Sequence, residues 1–290
     1  MTDNPYQLPF PDNDNDGEIE YDFPLWNKMS KDIRKLSSNF DQRSVRELVS
    51  TYYRIQDNRI AVAAQSRELQ KADSPYELVQ FLSDNLGYME TALKYPLQRF
   101  AETYPVGRWA LNQYGIGPVI TAGLISHIDI DKAKTVGSIW RYAGLDPTIE
   151  WKKGQKRPFN AELKTLSWKI GQSFMKFSNR DQCFYGKLYR QDKERRLAKN
   201  EAGEYSERAK QILDSKNWKT NATSDALKKG FLPPAQIDAQ ARRFAVKIFL
   251  SHFHAVWYED HYDKKAPTPY TIAHMDHVHE IQIPGYNSRF

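Results

Sequence analysis

The chain has 290 residues, of which 40% are hydrophobic and 27% charged, with a net charge of +6 and a mean hydropathy of −0.74. This length suits one large domain or two modest ones with an apolar core. No stretch of about 18 apolar residues could cross a membrane, and the single cysteine, Cys183, excludes a disulfide framework and a zinc ribbon. We therefore expect a cytoplasmic protein without a signal peptide.

Residues 1–25 are predicted to be an acidic, disordered tail. They contain seven Asp or Glu residues, four prolines and no Lys or Arg, a composition that buries too little apolar surface to fold. Without these seven acidic residues, the net charge of +6 would become +13. A body this basic favours a polyanionic partner, although a solvated basic surface without a partner has the same composition.

Residues 26–105 are predicted to form a helical hairpin. From Asp41 onwards, apolar residues recur three or four positions apart. Ser74 is expected to cap the second helix and Pro75 to occupy its first position. The second helix then carries one apolar stripe, made of Leu78, Phe81, Leu82, Leu86, Met89, Leu93, Leu97 and Phe100. Two such long helices should pack antiparallel.

The rest of the chain also favours helices, so the predicted fold class is mainly α. Residues 106–180 are expected to form a compact helix-hairpin-helix domain, and residues 181–232 a charged helical insertion. Pro233 and Pro234 open a further helix over about residues 235–262. An irregular, His-rich tail ends the chain, with a short strand expected at 281–283 (Ile-Gln-Ile).

The most specific motif is the turn formed by Gly115, Ile116 and Gly117, which lies between two apolar helical segments and is followed by Pro118. This arrangement is typical of a helix-hairpin-helix, in which the isoleucine fills the space between the helices. Amides at the start of the second helix can bind a phosphate oxygen, aided by the helix dipole. Such a motif contacts the nucleic-acid backbone without reading base edges. A glycine turn between two core helices is the alternative interpretation.

A resemblance to a known family follows from two segments at a characteristic spacing. Gly-Ile-Gly-Pro at 115–118 precedes an apolar helix, and Tyr-Ala-Gly-Leu-Asp-Pro stands at 142–147. These segments resemble the C-terminal domain of the Piv/MooV-type insertion-sequence transposases, which are bridge-RNA-guided DEDD recombinases. The resemblance covers roughly residues 45–180 and implies a helical hairpin followed by a DNA-binding domain of phage or mobile-element origin.

The chain departs from this family at the residues that carry out recombination. The family has an N-terminal RNase-H-like domain with four metal-binding acidic residues, and the short acidic tail does not match it. The family also has a nucleophilic serine shortly after the second segment, where this chain has Lys153 next to Gly154. We therefore expect a DNA-binding protein without catalytic residues of its own.

A basic loop follows the second segment, with Trp151 at its start. Its cations are Lys152, Lys153, Lys156 and Arg157, and Lys164 lies on the helix behind it. These side chains are expected to contact phosphates, and Trp151 or Phe159 could stack on an unpaired base. The alternative is an ordinary solvated loop whose tryptophan covers the core.

Six of the seven histidines lie in the last forty residues. His274, Asp276, His277 and His279 are candidate metal ligands, with His252 or His254 as possible partners. Packing among aromatic residues is the favoured interpretation, because the spacing matches no known ligand pattern. No nucleotide-binding loop or catalytic triad is evident, so no cofactor is expected.

Three functional hypotheses remain. The first is a DNA-binding protein that contacts the phosphate backbone, with branched DNA or RNA as variants of the same partner. The second is a recombinase or metal-dependent nuclease that uses a catalytic partner or the histidine cluster. The third is a protein-interaction module that binds through the helical hairpin.

Overall fold

The computed structural model describes residues 40–215, 217–268 and 281–290. Within these ranges the chain forms ten α-helices and no β-strand, so the predicted mainly α fold is confirmed. The acidic tail and the four candidate metal ligands between 274 and 279 lie outside the described residues. The helices are α1 Gln42–Lys71, α2 Glu77–Glu102, α3 Pro105–Leu111, α4 Pro118–His127, α5 Val136–Tyr142, α6 Ala161–Lys176, α7 Phe184–Glu201, α8 Ser206–Asp214, α9 Ala222–Lys228 and α10 Pro234–Tyr262.

Helices α1 and α2 form the predicted antiparallel hairpin. Asp41 caps α1, since its carboxylate accepts a hydrogen bond from the Ser44 amide at 2.7 Å. The predicted cap at Ser74 and the predicted place of Pro75 in the first helical position are both wrong, because α2 begins at Glu77 and Tyr76 is its N-cap. The reason is local, because the Ser74 amide still donates to the carbonyl oxygen of Leu69 and thereby closes the turn after α1.

The two helices of the hairpin meet partly through polar side chains. Glu90 is buried between them and accepts hydrogen bonds from Tyr52, Gln56 and Arg59 at 2.7, 2.9 and 2.6 Å. Part of the apolar stripe of α2 faces outward instead, with Leu78 72% and Leu82 50% exposed. Only the end of the stripe nearest α3, at Leu97 and Phe100, is buried in the core.

Helix α4 is the centre of the main core. Eight of its ten residues are buried, and it packs on the hairpin, on α3 and on α6. Helix α10 closes the core from the other side against α3, α5, α6 and α7. The two residues of α4 that are not fully buried, Pro118 and Ile120, lie in its first turn.

Helices α8 and α9 pack together over a second, smaller core. Ala209, Leu227, Leu232 and Ile237 are its buried members, so the start of α10 also contributes.

The charges of the preceding α7 are largely paired within the protein. Arg195 and Arg196 both bind the buried carboxylate of Asp192. The proposed division into domains stays a prediction.

The segment 281–290 is irregular, and the expected short strand at 281–283 is absent from it. Its backbone is held by side chains of the core. Trp109 Nε1 donates to the Pro284 carbonyl at 2.9 Å, and His252 Nε2 donates to the Ile281 carbonyl at 3.0 Å. These hydrogen bonds satisfy carbonyl groups that a strand would have paired with a neighbouring strand.

Candidate nucleic-acid interface

The turn between α3 and α4 has the features that the sequence predicts for a helix-hairpin-helix. Gly115 has a φ of +91°, a backbone conformation that favours glycine. Ile116 is buried in the main core and fills the space beneath the turn. Ser173 Oγ, on α6, donates a hydrogen bond of 2.5 Å to the carbonyl oxygen of Gly115. The turn is therefore fixed to α6 and does not depend on its own short helices alone.

Gly117 is the N-cap of α4, and Pro118 occupies the first turn of the helix. The backbone of Gly117 is extended, at φ −106° and ψ 178°, which other residues also adopt. A Cβ atom added at Gly117 would meet no heavy atom within 4 Å, so the space above this residue is open. Pro118 has no amide hydrogen, so Val119 and Ile120 carry the first N–H groups of α4, and groups at this position lack an intrahelical acceptor.

Two exposed cations, Lys176 and Arg180, follow the part of α6 that is bonded to the turn. Lys176 lies 5.5 Å from the ring of Phe177, which itself lies against Gly115. Arg180 follows one short turn later and is exposed. Sequence reasoning missed Arg180, because only the fold brings the end of α6 next to the turn.

The basic loop is exposed throughout, as the sequence predicts for a loop of this composition. Lys152, Lys153, Lys156 and Arg157 all project into solvent. Trp151 Nε1 donates to the Gln155 carbonyl at 2.9 Å, and the Arg157 guanidinium lies 5.7 Å from the Trp151 ring centroid. The tryptophan therefore organises the loop locally and is not part of the main core.

The basic loop and the turn lie at opposite ends of α6. The loop leads into Ala161 at the start of this helix, whereas the turn is bonded to Ser173 near its end. Twelve residues of helix separate these positions by roughly 18 Å. At one charge per 3.4 Å along each strand, this separation corresponds to about five base pairs of duplex DNA.

The lysines of α6 have different roles. Lys164 is exposed and its ammonium lies 4.1 Å from the ring centroid of Phe159, at the edge of the basic loop. Lys169 instead lies 3.8 Å from the ring centroid of Tyr53 on α1, and it joins α6 to the hairpin. Lys164 is therefore exposed at the edge of the loop, whereas Lys169 is half-buried against a distant helix.

His252 and His254, which the sequence suggests as partners in a metal site, are held by hydrogen bonds in the core. His252 Nδ1 accepts from the Tyr185 hydroxyl at 2.8 Å, and burial lowers its pKa to about 4. His254 Nε2 donates to the Ala133 carbonyl at 2.8 Å, and burial lowers its pKa as well. No cluster of three metal-binding side chains occurs within the described ranges.

In comparisons with known proteins, no protein-family model, curated protein or solved structure matches the chain. The resemblance to insertion-sequence transposases therefore stays a hypothesis that rests on residues 115–147. Among the ten helices that the structure describes, none has the length and apolarity needed to cross a bilayer.

Proposed function

We propose that this protein binds DNA through the phosphate backbone, with the turn at 115–117 and the basic loop as two contact points. The observation that carries the proposal is the open space above Gly117 at the N-terminus of α4. A packing turn between two core helices needs a tight glycine at Gly115, but it does not need an uncovered helix end at Gly117. An uncovered N-terminus beside exposed cations favours an anion.

The distribution of charge supports the same interpretation. The four cations of the basic loop, together with Lys164, Lys176 and Arg180, are exposed near one helix. By contrast, Lys193 and Arg196 on the charged helix α7 form ion pairs with Asp238 and Asp192. Exposed cations along α6 can release counterions from DNA, which is the main source of affinity for backbone binding.

The proposal is tested by measuring duplex binding by fluorescence anisotropy over a range of salt concentrations. In the first variant, all four cations of the basic loop are replaced by Ala. We expect weaker binding, with a log-affinity slope against log salt reduced by about 0.9 for each phosphate that the loop no longer neutralises. Affinity should fall equally on unrelated sequences, because backbone contacts carry no base information.

The matched control removes the same number of exposed cations from two other segments of the chain. Its substitutions to Ala are at Lys228, Lys229, Lys264 and Lys265, all exposed. This variant has the same net charge as the loop variant, so a simple dependence on total charge would weaken both equally. Equal effects, or no binding by the parent protein, would contradict the proposal.

A second candidate function, protein interaction through the hairpin, is favoured by one specific observation. Leu78, Leu82 and Met89 are exposed on α2, one or two helical turns apart. If this face mediates self-association, light scattering should detect an oligomer that a Leu82→Glu variant dissociates. A concentration-independent monomer would exclude self-association through this face.

A further inference from the structure

An open cleft of about 650 Å³ lies between the basic loop and the first half of α6. Asp146, Trp151, Arg157, Phe159, Lys164 and Trp168 are among its lining residues. We propose that this cleft binds one unpaired nucleotide of single-stranded or locally opened DNA. Its base would stack on the exposed Trp168 ring, and its phosphate would contact Arg157 and Lys164, which already lie over the Trp151 and Phe159 rings. This inference rests on the proposed function and adds a preference for unpaired bases.

The aromatic side chains of the cleft are unusually accessible for their size. Trp168 is 59% exposed and Trp151 is 40% exposed, although both have large apolar rings. Trp168 stands on a regular helix, and the Trp151 ring is fixed by its hydrogen bond to the Gln155 carbonyl. The Trp151 ring is thus held in place before any ligand binds, and the backbone of Trp168 is fixed by its helix. Flat, exposed and positioned rings are the platforms on which single-stranded nucleic acids stack their bases.

The charges of the cleft select the class of ligand. An acidic aromatic cleft would suit a cationic ligand, but Arg157 and Lys164 stand over the Trp151 and Phe159 rings at 5.7 and 4.1 Å. A ligand that combines a flat ring with a negative charge would suit both the aromatic rings and the two cations of the cleft. A nucleotide has both, and a paired base does not fit because its faces are already stacked in the duplex.

Asp146 contributes a negative charge at one position in the cleft. Its carboxylate accepts hydrogen bonds from the Thr148 amide at 2.9 Å and from the Thr148 hydroxyl at 2.7 Å. These hydrogen bonds lower the pKa of Asp146, so the carboxylate stays ionised at neutral pH. It would repel a phosphate, which leaves Arg157 and Lys164 as the phosphate contacts and the carboxylate as an acceptor for an amino group of the base.

The test compares three labelled DNA probes by fluorescence anisotropy with the full-length protein. The first probe is a continuous duplex, the second has a short single-stranded gap, and the third has the same gap without bases. We expect the base-containing gap to bind tighter than either other probe by roughly 5- to 150-fold, the range expected for stacking of one base. Trp168→Ala should remove this gain and leave continuous-duplex affinity unchanged, and Trp168→Phe should retain part of it.

The control variant is Tyr88→Ala, which removes an aromatic side chain of similar exposure from the hairpin, far from the cleft in sequence. It should retain the full gain on the gapped probe. The inference is overturned if the parent binds the gapped and base-free probes equally, a comparison that needs no variant. Normal duplex binding with no such gain contradicts only this inference, whereas absent duplex binding contradicts the proposed function as well.

Discussion

The hydrogen bond from Ser173 Oγ to the Gly115 carbonyl oxygen joins the end of α6 to the turn before α4 at 2.5 Å. It connects residues 58 positions apart in the sequence. Through this bond, one helix carries the basic loop at its start and supports the glycine turn at its end. The two candidate contact points are therefore connected through one helix.

The two glycines of the turn should respond differently to substitution. Gly117→Val should fold normally, because its backbone is extended and its surroundings are open. It should nevertheless weaken duplex binding, since the new side chain blocks approach to the first amides of α4 without removing a charge. Thermal unfolding and anisotropy on the same samples measure both effects.

Gly115→Val provides the contrast. At φ +91° and with a Cβ only 3.1 Å from Ser173 Oγ, this variant should lose stability by more than about 1 kcal/mol. If Gly117→Val folds and binds duplex as tightly as the parent protein, the turn serves packing alone.

Leu97 and Leu82, which both lie on α2, should differ in their contribution to stability. Leu97→Ala removes a fully buried side chain and should lower the free energy of unfolding by about 2–5 kcal/mol. Leu82→Ala, at 50% exposure, should change it by less than about 1 kcal/mol. Urea unfolding of both variants measures this, and equal reductions would show that the outer face of α2 is covered in solution.

Burial of His252 should make stability depend on pH between about 4 and 6.5. Its pKa is lowered to about 4 in the folded protein, so the unfolded chain, with a pKa near 6.5, takes up the proton first as the pH falls. The free energy of unfolding is unaffected by this protonation above pH 6.5. It should decline by roughly 3 kcal/mol as the pH falls from there towards 4. The difference between parent and His252→Gln in urea unfolding isolates this contribution from other groups. If the free energies of unfolding of the parent protein and of His252→Gln changed with pH in parallel, the prediction would be wrong.

Removal of the acidic tail should strengthen DNA binding. Deletion of residues 1–25 takes away seven negative charges and no positive ones, so the attraction between the basic body and DNA should increase, most strongly at low salt. A full-length variant with the seven acidic residues changed to Asn or Gln keeps the length and should behave like the deletion. If the deletion and the neutralised variant both bound DNA with the affinity of the parent protein, the tail would not weaken DNA binding.

Much of the helical architecture can be predicted from local sequence, because helix periodicity and backbone constraints act over a few residues. The spacing after Asp41 predicts the hairpin, and Pro233-Pro234 predicts the start of α10 within a residue. The need for glycine at Gly115 and for an apolar side chain at Ile116 also follows from the motif itself. These features depend on interactions within one or two helical turns.

Only the tertiary structure decided which side chains are available to bind. The sequence does not distinguish Lys164, exposed at the cleft, from Lys169, packed on Tyr53 of a distant helix. Nor does it show that Leu82 faces outward while Leu97 is buried, since both fit one helical stripe. The sequence also does not show that Trp168 is exposed. Burial depends on which surfaces meet across long sequence separations, and no local pattern encodes those contacts.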